Sequence, residues 1–150
     1  MPMIAYWKDK IQENSETDYV GGFQDFMPTF LSLTKVKTKS TTHGLSLLPV
    51  FANENISSKE YLNWEMQLDG GWRPKMLDGG FRQAVRMGKW KGVRYGIESP
   101  IQLFDLDIDI EEKNNVSQKH KDIVKRMEAI FQQDRSNSEH FPYGGVIKNK

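Results

Sequence analysis

Gln83-Ala84-Val85-Arg86-Met87-Gly88-Lys89-Trp90-Lys91-Gly92-Val93-Arg94-Tyr95 is the stretch that decides the fold. Val85 and Met87 alternate with Ala84 and Arg86 before Gly88. Beyond it Trp90 and Val93 are set among Lys89, Lys91 and Arg94, a half-buried pattern on either side of a break. This predicts two antiparallel strands joined at Gly88-Lys89. Glycine suits the first central position of a type II′ turn, where φ is positive and a Cβ is disfavoured.

Working outward, Tyr61 to Met66 is rich in aromatic and strand-favouring residues and predicts a strand before the hairpin. Between them, Gly70-Gly71 through Gly79-Gly80 reads as a glycine-bounded loop holding Trp72, Arg73 and Pro74. Ile101 to Ile110 predicts a further strand, with Phe104, Leu106, Ile108 and Ile110 on one face and Asp105, Asp107 and Asp109 on the other. Ile123, Val124, Met127, Ile130 and Phe131 form one helical stripe, with Asp122 and Arg126 as an i, i+4 pair. That helix should cover the sheet.

Towards the other end, Met3 to Trp7 is a continuous apolar run of the kind found in strands buried on both faces. Such a strand is expected to belong to a sheet whose other members lie outside this chain. Phe23, Phe26, Met27, Phe30 and Leu31 recur at helical spacing, with Asp25 as N-cap and Pro28 in the first turn, where its missing N–H costs nothing. The fold class expected is therefore α+β: an antiparallel sheet of about four strands covered by a C-terminal helix, preceded by a strand-helix remnant of an α/β domain. The division expected is 1–40 for the remnant, 41–60 for a linker anchored by Leu45 to Phe51, 61–135 for the sheet and helix, and 136–150 for a partly ordered tail.

The 150 residues carry 21 Lys plus Arg against 20 Asp plus Glu, a formal net charge of +1. Nothing in that balance points to nucleic acid or an anionic membrane surface. No apolar run approaches the roughly 20 residues of a membrane helix. Cysteine is absent, which excludes disulfides, thiolate metal sites and cysteine nucleophiles within these residues.

Four stretches, in order, resemble the C-terminal part of the sulfatase family. Gln83 to Lys91 resembles its (R/Q)AVR-x-G-x-WK strand pair. Pro2 to Ile11 resembles P-M-I-x-x-W-P-G-K-I, with Lys8-Asp9 in place of Pro-Gly. Asp25 to Leu31 resembles D-x-x-P-T-L-L, and Leu103 to Asn115 followed by Asp122 to Arg126 resembles the closing strand, E-x-N-N segment and helix. His43-Gly44 stands where the family has Asp-Gly, residues 68–80 look like an insertion, and Asp109-Ile110-Glu111-Glu112 replaces an Asp-Pro-Gly-Glu turn, which predicts a turn that is wider or differently built.

The resemblance implies a hydrolase of sulfate esters, with carbohydrate sulfate as substrate, calcium and formylglycine as cofactors of the full-length family, and a periplasmic or secreted setting. This chain departs from it where the chemistry resides. Formylglycine arises from Cys or Ser in C/S-x-P-x-R, and none of the six prolines has Ser two residues before it and Arg two after. No counterpart of the calcium-binding carboxylates can be placed either, so the chain alone is expected to be non-catalytic, with no cofactor of its own.

Asp105-x-Asp107-x-Asp109 opens like a calcium loop but has Ile110 where glycine is required and Val116 where a bidentate Glu is required, which favours a solvated strand face. His43, His120 and His140 have no metal-ligand or triad spacing. Asn55-Ile56-Ser57 and Asn115-Val116-Ser117 match the glycosylation sequon, a common chance match. Arg82, Arg86 and Arg94, with Arg73, Trp72 and Trp90, are the candidates for contacting a sulfated sugar, because guanidinium forks match oxyanions and rings stack on sugar faces. The competing reading is that strand aromatics are core. The partners expected are such a carbohydrate, a catalytic domain outside the chain, or a second copy meeting an apolar surface around Met3 to Trp7 and Phe23 to Leu31.

Overall fold

The structure is a computed structural model, and it describes residues 3–39, 42–54, 56–67, 80–135, 138 and 143. The chain divides into two compact units, Met1–Lys59 and Glu60–Lys150.

In the second unit, β1 (Leu62–Gln67), β2 (Phe81–Met87), β3 (Trp90–Tyr95) and β4 (Gln102–Asp105) form one antiparallel meander in the order β1-β2-β3-β4. The hairpin closes at Gly88-Lys89, with Met87 opposite Trp90. Gly88 has φ +55 and Lys89 is not among the positive-φ residues, as a type II′ turn requires. Helix α3 (Lys121–Gln133) lies on one face, where Val85, Met87, Ile101 and Leu103 meet Met127 and Phe131. Its apolar stripe is the predicted one, with Ile123, Val124 and Ile130 packed at the margin. Arg126, however, reaches Glu60 at 3.0 Å. Gly92 lets the helix approach: a Cβ there would sit 2.3 Å from the Met127 sulfur.

One expectation for this unit is corrected. The last strand ends at Asp105, and Ile108 and Ile110 are exposed at 85% and 74%, because the chain turns after Asp105. Asp109 organises that turn, its carboxylate accepting from the backbone N–H groups of Lys113 at 3.1 Å and Asn114 at 2.7 Å. Glu112 takes a left-handed φ of 56, so the turn replacing Asp-Pro-Gly-Glu is differently built. On β3, the buried positions are Gly92 and Arg94, while Trp90 and Val93 are half-buried, with Val93 on the opposite face.

In the first unit, a 3-10 turn at Phe23–Asp25 leads into α1 (Phe26–Thr34), and α2 (Leu48–Phe51) follows. Asp25 stands at the N-cap position as expected, but its buried carboxylate accepts from Gly22 N–H and Leu45 N–H, each at 2.8 Å. Thr29 Oγ1 accepts from Leu47 N–H at 2.8 Å. Residues 45–47, expected in a linker, are thus bound to the start of α1. The strand expected at Met3–Trp7 is not formed: the segment is irregular, with Ile4 96% and Tyr6 84% exposed. No described strand of this unit is available to pair with it.

Candidate functional site

The pleat gives the sheet two unlike faces. By register, Asn63, Glu65, Gln83, Val85, Trp90, Gly92, Arg94, Leu103 and Asp105 share the face under α3, while Leu62, Trp64, Met66, Arg82, Ala84, Arg86, Lys91, Val93, Tyr95, Gln102 and Phe104 share the other. Both carboxylates of the strands fall on the helix face, together with Arg94; the charged strand residues of the opposite face are Arg82, Arg86 and Lys91, of which Lys91 donates to Glu112 Oε1 at 2.5 Å.

Arg94 therefore does not join the other candidates. It is buried beneath α3, where its Nε donates to Gln83 Oε1 at 2.9 Å, Nη1 to Glu128 Oε1 at 2.7 Å and Nη2 to the Tyr143 oxygen at 3.1 Å. Its guanidinium also lies 4.9 Å over the Phe131 ring. Gln83 continues the chain by donating to Glu65 at 2.6 Å, and Glu65 accepts from Arg135 at 2.8 Å. This is a satisfied polar network that ties three strands to α3 and its C-terminal end.

Arg82 and Arg86 do share a face. Arg82 stacks 4.8 Å over Tyr95 and donates to Phe81 O at 3.0 Å; Arg86 Nε donates to Gly88 O at 3.2 Å. The open face is sealed at one end, where Leu62 and Phe104 are buried, and accessible at the other, where Trp64, Met66 and Tyr95 are exposed at 41%, 51% and 42%. Trp64 and Tyr95 were missed from the sequence, although the Leu62-Trp64-Met66 alternation against Asn63 and Glu65 carried the signal. Trp72 and Arg73 lie outside the described residues. Trp90 is on the helix face, its ring 4.6 Å from that of His120, which stands at the N-cap position of α3.

Two members of the acidic triplet, Asp105 and Asp109, are engaged in local hydrogen bonds. Asp105 accepts from Lys89 Nζ at 2.7 Å, and that bond first, opposed by burial, holds its carboxyl below the ordinary range; Lys89 is raised by the same bond. Asp109 is lowered by the N–H groups of Asn114 and Lys113. Among the described residues no group of three or more His, Asp or Glu side chains is placed to hold a metal ion.

In the first unit a polar cavity of about 280 Å³ is lined by Thr17, Asp18, Tyr19, Val50, Glu54, Ile56 and Ser58. Asp18 and Glu54 would repel a sulfate there. No described helix is long and apolar enough to cross a membrane.

This arrangement of sheet and helix is that of the smaller, C-terminal part of sulfatases. It matches the structure of a 2-O GAG sulfatase with a TM-score of 0.59 at 21% identity, over 73% of this chain and 23% of that one. Residues 1–137 match the family model described as N-sulphoglucosamine sulphohydrolase, C-terminal, and the chain belongs to that family. It is similar to arylsulfatase K of Gallus gallus, 26% identical over 134 residues, covering 81% of this chain and 23% of the relative. It is also similar to N-acetylglucosamine-6-O-sulfatase of Bacteroides thetaiotaomicron, 24% identical over 146 residues, covering 91% of this chain and 26% of the relative. The chain spans about a quarter of the length of these curated relatives.

Proposed function

We propose that this chain serves as the non-catalytic C-terminal subdomain of a sulfatase for carbohydrate sulfate esters, acting with a catalytic portion supplied from outside these residues. The observation that carries this reading is the match of residues 1–137 to a family defined by the C-terminal part of such enzymes. The absence of Cys and of any S-x-P-x-R from the sequence agrees with it, since formylglycine has no precursor here. The names of the relatives support sulfate esters, and one of them specifies a sugar sulfate. Calcium and formylglycine would belong to the catalytic portion. The purified chain, given calcium and an aryl sulfate, should hydrolyse it no faster than buffer does; turnover above that level would overturn the reading.

A second role is favoured by the grouping of aromatic rings and arginines on the open face. With Trp64 and Tyr95 exposed and Arg82 and Arg86 on the same face, the open face offers aromatic surface and guanidinium forks together. Its ligand would be a sulfated oligosaccharide. Saturable binding that weakens at least tenfold in Arg86→Ala and in Trp64→Ala supports this role, and a flat titration sinks it.

A further inference from the structure

The sheet of the second unit has two edges, and they are finished differently. Outside β4, Asn115 Oδ1 accepts from Leu103 N–H at 3.1 Å and Val116 N–H donates to Leu103 O at 2.8 Å, so a following segment occupies that edge. Outside β1 there is no such cover. Among the described residues, no hydrogen bond reaches the backbone of Leu62–Met66 apart from its ladder with β2.

Edges of this kind are normally blunted by lysine, proline or a bulge, because their unused N–H and C=O groups template the addition of another strand. β1 has none of these devices. It reads Leu62-Asn63-Trp64-Glu65-Met66-Gln67 and pairs with β2 one for one, from Leu62 opposite Arg86 to Gln67 opposite Phe81. Its charged residue, Glu65, lies on the helix face and is taken up by Gln83 and Arg135. On the open face the strand shows Trp64 and Met66, both exposed. We infer that β1 is a dimerisation edge, pairing antiparallel with β1 of a second copy about a two-fold axis, so that two four-stranded sheets become one continuous sheet.

The order of residues along the strand argues for this occupant. Opposed residues of an antiparallel pair project to the same face, so the two-fold must bring one residue opposite its own copy. Centred on Trp64, the pairing sets Trp64 against Trp64, Leu62 against Met66 and Asn63 against Glu65. Apolar then meets apolar on the open face, and polar meets polar on the helix face. Centred on Glu65, it would oppose two carboxylates, which is destabilising. The strand is therefore complementary to itself, in one register. So short an edge makes a small interface, and the dimer should be concentration-dependent.

Sedimentation equilibrium of the full chain tests this. It should show a monomer–dimer equilibrium whose dissociation constant rises at least tenfold in Trp64→Lys, with an unchanged circular dichroism spectrum, and amide exchange within residues 62–66 should slow as concentration rises. Met27→Asp, on the exposed side of α1, should not remove the dimer. Because the chain has no cysteine, Trp64→Cys places a single thiol at the centre of the pairing, where Cα atoms about 4.5–5.5 Å apart permit a disulfide. Mild oxidation should link this variant into a dimer and leave Ile108→Cys, an equally accessible thiol, unlinked. If Trp64→Lys loses the fold, the linkage result decides. A chain that sediments as monomer at every concentration, an association that withstands Trp64→Lys but is lost in Met27→Asp, or linkage of Trp64→Cys no faster than that of Ile108→Cys would each overturn the inference.

Discussion

Arg94 and Arg86 are eight residues apart in sequence and do opposite work. Arg94 is 4% exposed and its partners Gln83 and Glu128 come from β2 and α3, so removing it strands a buried carboxamide and loosens the helix. Breaking a buried charge pair costs about 3–5 kcal/mol, and the partial exposure of Glu128 pulls the expectation to about 3 kcal/mol for Arg94→Ala. Arg86→Ala should stay within about 0.5 kcal/mol, as for surface changes generally. Urea unfolding of the two variants checks the contrast. Equal losses would mean that the network beneath α3 has been misread.

Asp105 gives the residue scale a pH dependence. Its folded pKa is depressed by the Lys89 hydrogen bond, so the stabilisation is complete above the unfolded value of about 3.9 and is lost as pH falls through the folded value. Lys89 has the opposite sign: its raised pKa stabilises below the unfolded value of about 10.4, and that contribution disappears as pH rises through the folded one. Asp105→Asn should therefore shallow the acid limb of a stability profile between about pH 5 and 2, and Lys89→Met the alkaline limb above about pH 10. A profile identical to the parent on both limbs would refute the pairing.

Among the elements, the β2-β3 hairpin and α3 were legible because each has a strong period and a punctuating residue: Gly88 in one, the five-residue apolar stripe in the other. Where the sequence misled, a local group had overridden the period. Alternation ran on from Phe104 to Ile110, but Asp109 captures two backbone N–H groups and folds the chain into a turn. Met3–Trp7 has the composition of a strand, yet strand formation needs a neighbour that this unit does not provide among its described residues. The site suffered in the same way: Arg94 was grouped with Arg82 and Arg86 by proximity in sequence, and only the register separates them. Gly92 is the point where the elements are most tightly matched. Gly92→Ala should cost about 1–3 kcal/mol by overpacking against Met127. Adding Met127→Ala should then cost less than it does in the parent, because the new methyl partly fills the space. Simple additivity in the double-mutant cycle would count against this contact.

Across the whole molecule, stability is distributed unevenly between the units. Among the described residues, the buried apolar side chains are Leu62, Phe81, Val85, Met87, Ile101, Leu103, Phe104, Met127 and Phe131 in the second unit, against Leu47 in the first. The first unit is held instead by polar contacts around Asp25 and Thr29, with Lys59 4.0 Å from the Asp25 carboxylate. Hydrogen bonds of this kind contribute about 1 kcal/mol each and compete with water once a segment opens, whereas apolar burial resists local opening. Native-state hydrogen exchange should accordingly find α1 amides exchanging well before those of β2 and β3. Brief trypsin treatment should cut first after the exposed Lys35, Lys37 or Lys39 and leave the sheet and α3 intact. Asp25→Ala sharpens the point: it should speed exchange throughout α1 without altering β2 or β3. If α1 were instead protected as well as the sheet, the polar contacts around Asp25 and Thr29 would hold it as firmly as apolar burial holds the second unit, and the contrast between the units would be refuted.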